Sequence, residues 1–250
     1  MRILIVTMQH GNEVFGKKIV DHFENSDIDT VIANPKAYEQ NERFIETDMN
    51  RSYHRSGKKS YEEKRADEIY RLAQKYDFVI DIHTTTSDVD FVPIIARLND
   101  GVKQALSFLP SENVALMKFT GVVHSLIGCV DNSISLEFNE DFAKTKEALQ
   151  VVESLVDGLQ ENTYGSSLSK ILYHIVGTIP EDTNLDNEHN FIFSKNHDYY
   201  PFLIGEKHYK GYKGFYAEKT SSIQLYETGV DKIVNSATVR ENFMGGRKSN

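Results

Sequence analysis

A single cysteine, Cys129, among 250 residues excludes an intrachain disulfide. Burial must therefore hold the chain together, and at this length folding typically buries roughly 70 to 75% of the unfolded surface. With 40% apolar residues, a sizeable core is within reach of one large domain, or of a main domain with a smaller appendage. No stretch approaches the roughly 18 apolar residues of a membrane span. The apolar run from Met1 to Val6 is too short for a signal peptide. Positive charge is also in deficit: 28 basic residues against 37 acidic ones give a formal charge of −9 and a pI near 5.5. That balance argues against duplex nucleic acid or an anionic membrane as a partner, so any bound anion must be captured locally. The expectation is a soluble protein of a reducing compartment, the cytoplasm, with its oligomeric state, including a homo-oligomer, left open.

What is present reads as alternating strands and helices. Arg2 to Thr7 is a nearly continuous apolar run, suited to a central strand covered on both faces, and Val14 to Phe23 follows with helical rhythm. Asp29 to Ala33, Asp77 to His83, Phe91 to Ala96, Val114 to Met117 and Ser133 to Phe138 read as further strands, with helices over Tyr61 to Tyr76 and about Phe142 to Leu159. The alternation predicts an α/β sheet, at least partly parallel. Asn34 to Ser60 is polar and without periodicity, a length of loop that is usually functional or disordered, and Arg43, Asn50, Arg51 and Arg55 favour function. Beyond about Ser167 short strands at Ile171 to Val176, Tyr200 to Ile204 and Ser222 to Tyr226 alternate with turns. The expected division is a catalytic domain over 1–166 and a small β-rich subdomain over 167–250 that contributes to the pocket, ending in a frayed tail from Gly245.

His10 and Glu13 stand three residues apart after the first strand, close enough to share a metal, and His83 closes another strand. In open α/β sheets ligands gather beyond the carboxyl ends of strands, so two strand ends can converge on one ion. Two imidazoles and a carboxylate make the three-ligand shell of hydrolytic zinc, with a position left for water. Such a metal lowers the pKa of water from 15.7 toward about 7 and polarises a carbonyl. Either fragment alone is common in an acidic chain, and structural histidines remain the alternative. Asp81 is a candidate to orient His83, although its side chain is expected on the opposite strand face. The chemistry also needs a base. Glu137, in Ser133-Ile134-Ser135-Leu136-Glu137-Phe138, is the leading candidate, against the alternative of an outward-facing glutamate in line with Ser133 and Ser135. Arg43 and Arg51 could stabilise an oxyanion or fork onto a carboxylate, or simply face solvent.

With these residues in view, the sequence resembles the succinylglutamate desuccinylase and aspartoacylase family of the zinc carboxypeptidase-like fold. His10-Gly11-Asn12-Glu13 matches its metal-binding turn, and Asp81 to Thr86 matches the segment of its third ligand. Asp48-Met49-Asn50-Arg51 resembles its D-L-N-R motif, with Arg43 at the expected distance upstream. Ser133 to Glu137 resembles the strand of its catalytic glutamate, and Tyr200 to Tyr209 its C-terminal segment. The matches run from residue 10 to about residue 219. The resemblance implies a mixed sheet flanked by helices and one zinc held by His10, Glu13 and His83. It implies further that Glu137 moves the proton, that Arg43 polarises the scissile carbonyl, and that Asn50, Arg51 and Tyr209 grip an α-carboxylate, with Glu206 supporting Tyr209 or its loop. The implied activity is hydrolysis of the amide of a small N-acyl amino acid.

Two departures stand out. Asn139, not glycine, follows Phe138. The segment Ser125 to Val130 supplies no arginine for a substrate's side-chain carboxylate, which puts N-acetylaspartate in doubt and leaves Arg97, Lys118 or Lys213 as substitutes. A carboxypeptidase-type peptide hydrolase and a noncatalytic binder of metal and acyl amino acids are the alternatives. Retention of Glu137 argues against the latter, because binding alone requires no base. The ligand set also suits divalent ions other than zinc.

Overall fold

Ile3 and Ile5 pack into one hydrophobic cluster while Leu4 and Val6 pack into another, because successive residues of a strand face opposite sides. A strand apolar on both faces needs cover on both, and the fold supplies it. The computed structural model of the chain describes residues 1–55 and 59–226. Its strands are β1 (Ile3–Thr7), β2 (Asp29–Ile32), β3 (Phe78–Thr85), β4 (Phe91–Ile95), β5 (Asn113–Met117), β6 (Ser133–Asn139), β7 (Ser169–Pro180), β8 (Tyr200–Phe202) and β9 (Tyr212–Gln224). Its helices are α1 (Phe15–Phe23), α2 (Pro35–Gln40), α3 (Tyr61–Ala73), α4 (Asp100–Phe108), α5 (Leu126–Cys129) and α6 (Lys146–Glu161). The strands form one nine-stranded sheet in the order β2-β1-β3-β6-β4-β5-β7-β9-β8. Five neighbouring pairs are parallel, while β4 with β6, β7 with β9 and β8 with β9 are antiparallel. The expected mixed sheet is therefore what forms. Helices α1, α4 and α6 cover one face, and α3 and α5 cover the other. Among the described residues no helix is long and apolar enough to cross a membrane.

Several elements differ from the sequence reading for identifiable reasons. β1 is buried throughout but lies one place in from the edge, beside β2 and β3, rather than at the centre. The helix expected from Phe142 is broken: Phe142–Lys144 is a 3₁₀ turn, and Thr145 is extended and caps α6 by accepting from the Ala148 N–H at 3.3 Å. The long polar stretch holds α2, capped by Asn34 with Pro35 at its start, and a 3₁₀ turn over Met49–Arg51. A six-residue helix is too short to declare a period. β9 was visible only at its end, because Lys213, Glu218, Lys219 and Thr220 interrupt its apolar pattern. β7, β8 and β9 continue the one sheet from β5 outward. The tail from Gly245 and the part of the expected C-terminal subdomain over 227–250 lie outside the described residues.

The loop after α2 is held by one buried acid. Glu62, in the first turn of α3 and inaccessible to solvent, accepts from the backbone N–H groups of Ile45, Glu46 and Thr47 at 2.6, 3.1 and 3.2 Å and from Asn34 Nδ2 at 3.3 Å. Glu62→Ala would strand these donors, each costing about 1–3 kcal/mol when left unpaired. The expected result in urea unfolding is a loss of about 3 kcal/mol, with part recovered in Glu62→Gln. A loss within about 0.5 kcal/mol would show that the loop does not depend on this carboxylate.

Candidate active site

β1 ends at Thr7, and Met8 beyond it is buried with a φ of 51°. This left-handed residue breaks the strand immediately before Gln9 and His10, at a conformational cost of roughly 1–2 kcal/mol. Gly11 has a steric reason. A Cβ there would stand 2.1 Å from the carbonyl carbon of Ala37 in α2, so only glycine allows the two backbones to meet. Its N–H donates to the Arg43 carbonyl at 3.1 Å, joining the His10 turn to the arginine-bearing loop. The Glu13 N–H donates to the His10 carbonyl at 3.1 Å, closing the turn that turns both side chains to one side.

His83, on β3, meets this turn. His10 Nδ1 lies 2.6 Å from Glu13 Oε1, and His83 Nδ1 lies 3.1 Å from Glu13 Oε2. One donor atom from each of the three residues falls within 4.8 Å of the others, and all three residues are buried. The opposite nitrogens point away: His10 Nε2 is 3.0 Å from Asp48 Oδ1 and His83 Nε2 is 3.1 Å from Asp81 Oδ2. An imidazole whose Nε2–H donates to a carboxylate presents a bare Nδ1 as a ligand. Asp81 therefore stands on the same strand face as His83, as residues two apart must, and not on the opposite face as expected.

The electrostatics point the same way. Burial opposes protonation of His10 and His83, but Glu13 and Asp48 around the first, and Asp81 and Glu13 around the second, outweigh it and raise both pKa values. Burial likewise opposes the charge on Glu13 and Asp48, yet the neighbouring imidazoles hold both carboxyls below the usual range. Three carboxylates packed around two imidazoles create a buried demand for positive charge, and the inward Nδ1, Nδ1 and carboxylate atoms are a donor set that suits a divalent cation such as zinc.

Glu137 pairs in register with His83 across β6 and β3. Ser135 and Glu137 both line the cleft over the histidines, so the polar face of β6 is the floor of the site and not a solvent face. Burial, followed by the proximity of Glu13 and Glu206, pushes the Glu137 carboxyl up to about 8 against the pull of His83 and His10. Arg43, Asn50, Arg51 and Tyr209 line the same cleft. All eight candidate residues are thus brought together. Glu206 accepts from Thr85 Oγ1 at 2.6 Å, the Thr86 N–H at 2.7 Å and the His208 N–H at 2.8 Å, which fastens the segment carrying Tyr209 to the end of β3. Asn139 accepts from the Asp141 and Phe142 N–H groups through Oδ1 and shapes the turn where glycine was expected.

Three residues received no role in the sequence reading, Asp48 being named only as the first residue of its motif. Asp48 accepts from the Asn50 N–H at 3.0 Å and from Arg43 Nη2 at 3.4 Å besides meeting His10, so one carboxylate ties a histidine, an arginine and the turn of Asn50 together. Its position just ahead of a helical turn is a capping signal that could have been read. Gln9 and Tyr53 carried no signal. Gln9 Nε2 donates to both Asp81 oxygens at 2.8 Å, and the Tyr53 hydroxyl donates to Gln9 Oε1 at 3.0 Å, all fully buried. This chain fixes Asp81 and, through it, the His83 ring. Gln9→Leu is expected to weaken zinc affinity about 10- to 100-fold, as losses behind a ligand do, and chelator competition would measure it. Unchanged affinity would make the chain purely structural.

Known proteins resemble parts of this chain in sequence and most of it in fold. The model of the succinylglutamate desuccinylase/aspartoacylase catalytic domain matches residues 1–110. A probable aspartoacylase of Trichodesmium erythraeum is 30% identical over 138 residues, covering 48% of this chain and 47% of the relative. One from Nostoc is 27% identical over 226 residues, covering 74% and 75%. An N-acyl-aromatic-L-amino acid amidohydrolase of Xenopus laevis is 36% identical over 111 residues, 35% of each chain. The match thus spans about half or less of the Trichodesmium and Xenopus relatives. In structure, murine aminoacylase 3 superposes with a TM-score of 0.68 at 18% identity over 90% of this chain and 97% of the other. The succinylglutamate desuccinylase of Chromobacterium violaceum does so with 0.61 at 17% over 91% and 85%. The fold is the zinc carboxypeptidase-like mixed sheet of those proteins. Over residues 1–110 the chain is thus similar to the catalytic domain of the succinylglutamate desuccinylase/aspartoacylase family, and its fold is shared with solved members.

Proposed function

We propose that this protein is a zinc-dependent amidohydrolase that cleaves a small N-acyl amino acid into a carboxylic acid and a free amino acid. One observation carries the reading: two imidazoles turn their Nδ1 atoms onto the Glu13 carboxylate, with Glu137 in register beside them. His10, Glu13 and His83 hold the cation. When bound, zinc supplies Lewis acidity toward the scissile carbonyl and acidifies water. Glu137 takes a proton from the attacking water and delivers it to the leaving amine nitrogen, a role suited to a carboxyl whose burial raises its proton affinity. Arg43 donates to the carbonyl oxygen as negative charge develops there. Asn50, Arg51 and Tyr209 grip the α-carboxylate, the guanidinium matching its two oxygens. In this reading residues 1–166 are the catalytic domain and the segment from 167 closes the pocket with Tyr209, acting in the cytoplasm on a freely diffusing substrate.

The test is metal analysis joined to a hydrolysis screen over acetyl and succinyl amino acids and short peptides. One zinc per chain with release of free amino acid from N-acyl substrates is the expected result. Cleavage of peptides alone would make it a carboxypeptidase, and zinc with ligand affinity but no hydrolysis would make it a binding protein.

A further inference from the structure

The apolar part of the cleft's lining has a chemistry of its own. Ile94 at the end of β4, Met117 at the end of β5, Phe119 and Val122 around the 3₁₀ turn Thr120–His124, Ile127 in α5 and Phe215 in β9 all line it. They belong to a single hydrophobic cluster, within which the Phe119 and Phe215 rings stand 5.8 Å apart. A contiguous apolar wall open to a cleft gains free energy only from an apolar occupant.

The position of this wall identifies which part of a substrate meets it. Asn50 Oδ1 accepts from the Leu126 N–H at 3.4 Å, and the Tyr53 N–H donates to the His124 carbonyl at 3.2 Å. The turn bearing Asn50 and Arg51 is thereby tied to the two short helical segments that carry Val122 and Ile127. An amino acid whose carboxylate rested on Asn50 and Arg51 would occupy the cleft that Val122 and Ile127 also line, which offers its side chain this wall.

Charge separates the candidates further. Among the described residues, Arg43 and Arg51 are the lysine or arginine side chains that line the cleft, whereas Glu13, Asp81, Glu137 and Glu206 all line it. The three other cations considered from the sequence are engaged or turned elsewhere. Arg97 donates to the Ile127 and Gly128 carbonyls at 3.2 and 2.8 Å, Lys213 donates to the Thr183 carbonyl at 2.7 Å, and Lys118 is exposed outside the cleft. A second carboxylate on the substrate would lose its hydration against hydrocarbon with no ion partner there.

We infer that this site selects N-acyl amino acids with apolar side chains and discriminates against those of aspartate and glutamate, the wall from Ile94 to Phe215 receiving the side chain. The inference rests on the amidohydrolase reading and narrows it. With the zinc-loaded protein, kcat/KM for N-acetyl-L-leucine and N-acetyl-L-phenylalanine is expected to exceed that for N-acetyl-L-aspartate and N-succinyl-L-glutamate by on the order of 100-fold. Phe119→Arg, at a partly exposed position, is expected to shift the leucine to aspartate ratio at least tenfold toward aspartate. Preference of the wild-type protein for either acidic substrate overturns the inference while leaving the hydrolase intact. N-hexanoyl-L-aspartate cleaved as well as N-acetyl-L-leucine also overturns it, because the wall would then serve the acyl chain. If nothing is hydrolysed, the parent reading fails, and calorimetry of N-acetyl-L-leucine against N-acetyl-L-aspartate still decides the preference, tighter leucine binding supporting it and tighter aspartate binding ending it.

Discussion

Glu137→Gln is expected to lower turnover about 100- to 10,000-fold with zinc content unchanged, the range for losing a positioned general base. The substitution keeps the shape and the strand pairing to His83 but cannot accept a proton from water. Because Glu137 is not among the residues grouped around the prospective cation, metal content should separate its role from theirs. The pH profile offers a second check. Burial pushes the Glu137 carboxyl up to about 8, and a bound cation beside it favours the ionised form and lowers that value. The base works only when deprotonated, so turnover should rise with pH along an acidic limb whose midpoint lies below 8. Near-normal turnover in the glutamine variant would remove Glu137 from the chemistry.

His83→Ala should weaken zinc binding more than about 100-fold, beyond the 10- to 100-fold typical when only a residue behind a ligand is lost. His83 Nδ1 is 3.1 Å from Glu13 Oε2, and without the ring that carboxylate keeps His10 as its sole imidazole partner. The measurement is thermal unfolding with and without zinc. A site filled at 100 times its Kd stabilises the folded chain by about 2.7 kcal/mol. That increment should be present in the wild-type protein and absent from the variant. Glu13→Gln provides a second substitution in case His83→Ala folds poorly. Retention of the full increment in both would mean that the cation binds elsewhere.

Much of this could be read from the residues in order. The apolar run from Arg2 to Thr7 and the helical rhythm from Val14 to Phe23 are local patterns, and the structure realises them as β1 and α1. The motifs around His10, Asp48, His83, Glu137 and Tyr209 were legible as an ordered set. The elements that escaped were those with weak local signals: a six-residue helix at Pro35, a strand interrupted by charge at Tyr212, and a helix at Asp100 that starts from an Asn99 cap.

By itself the sequence determined which side chains could do chemistry and which strand faces were apolar, because both depend on composition and on periods of two or 3.6 residues. Only the tertiary structure decided that β1, β3 and β6 are neighbours, since strand order follows from long-range pairing and not from any local period. That order puts His10, His83 and Glu137 over one floor, places Glu137 in the cleft and not on the alternative solvent face, and sets Asp81 against His83. It also brings Phe215 from β9 against Phe119, so that segments far apart in the chain build one apolar wall beside the polar clamp.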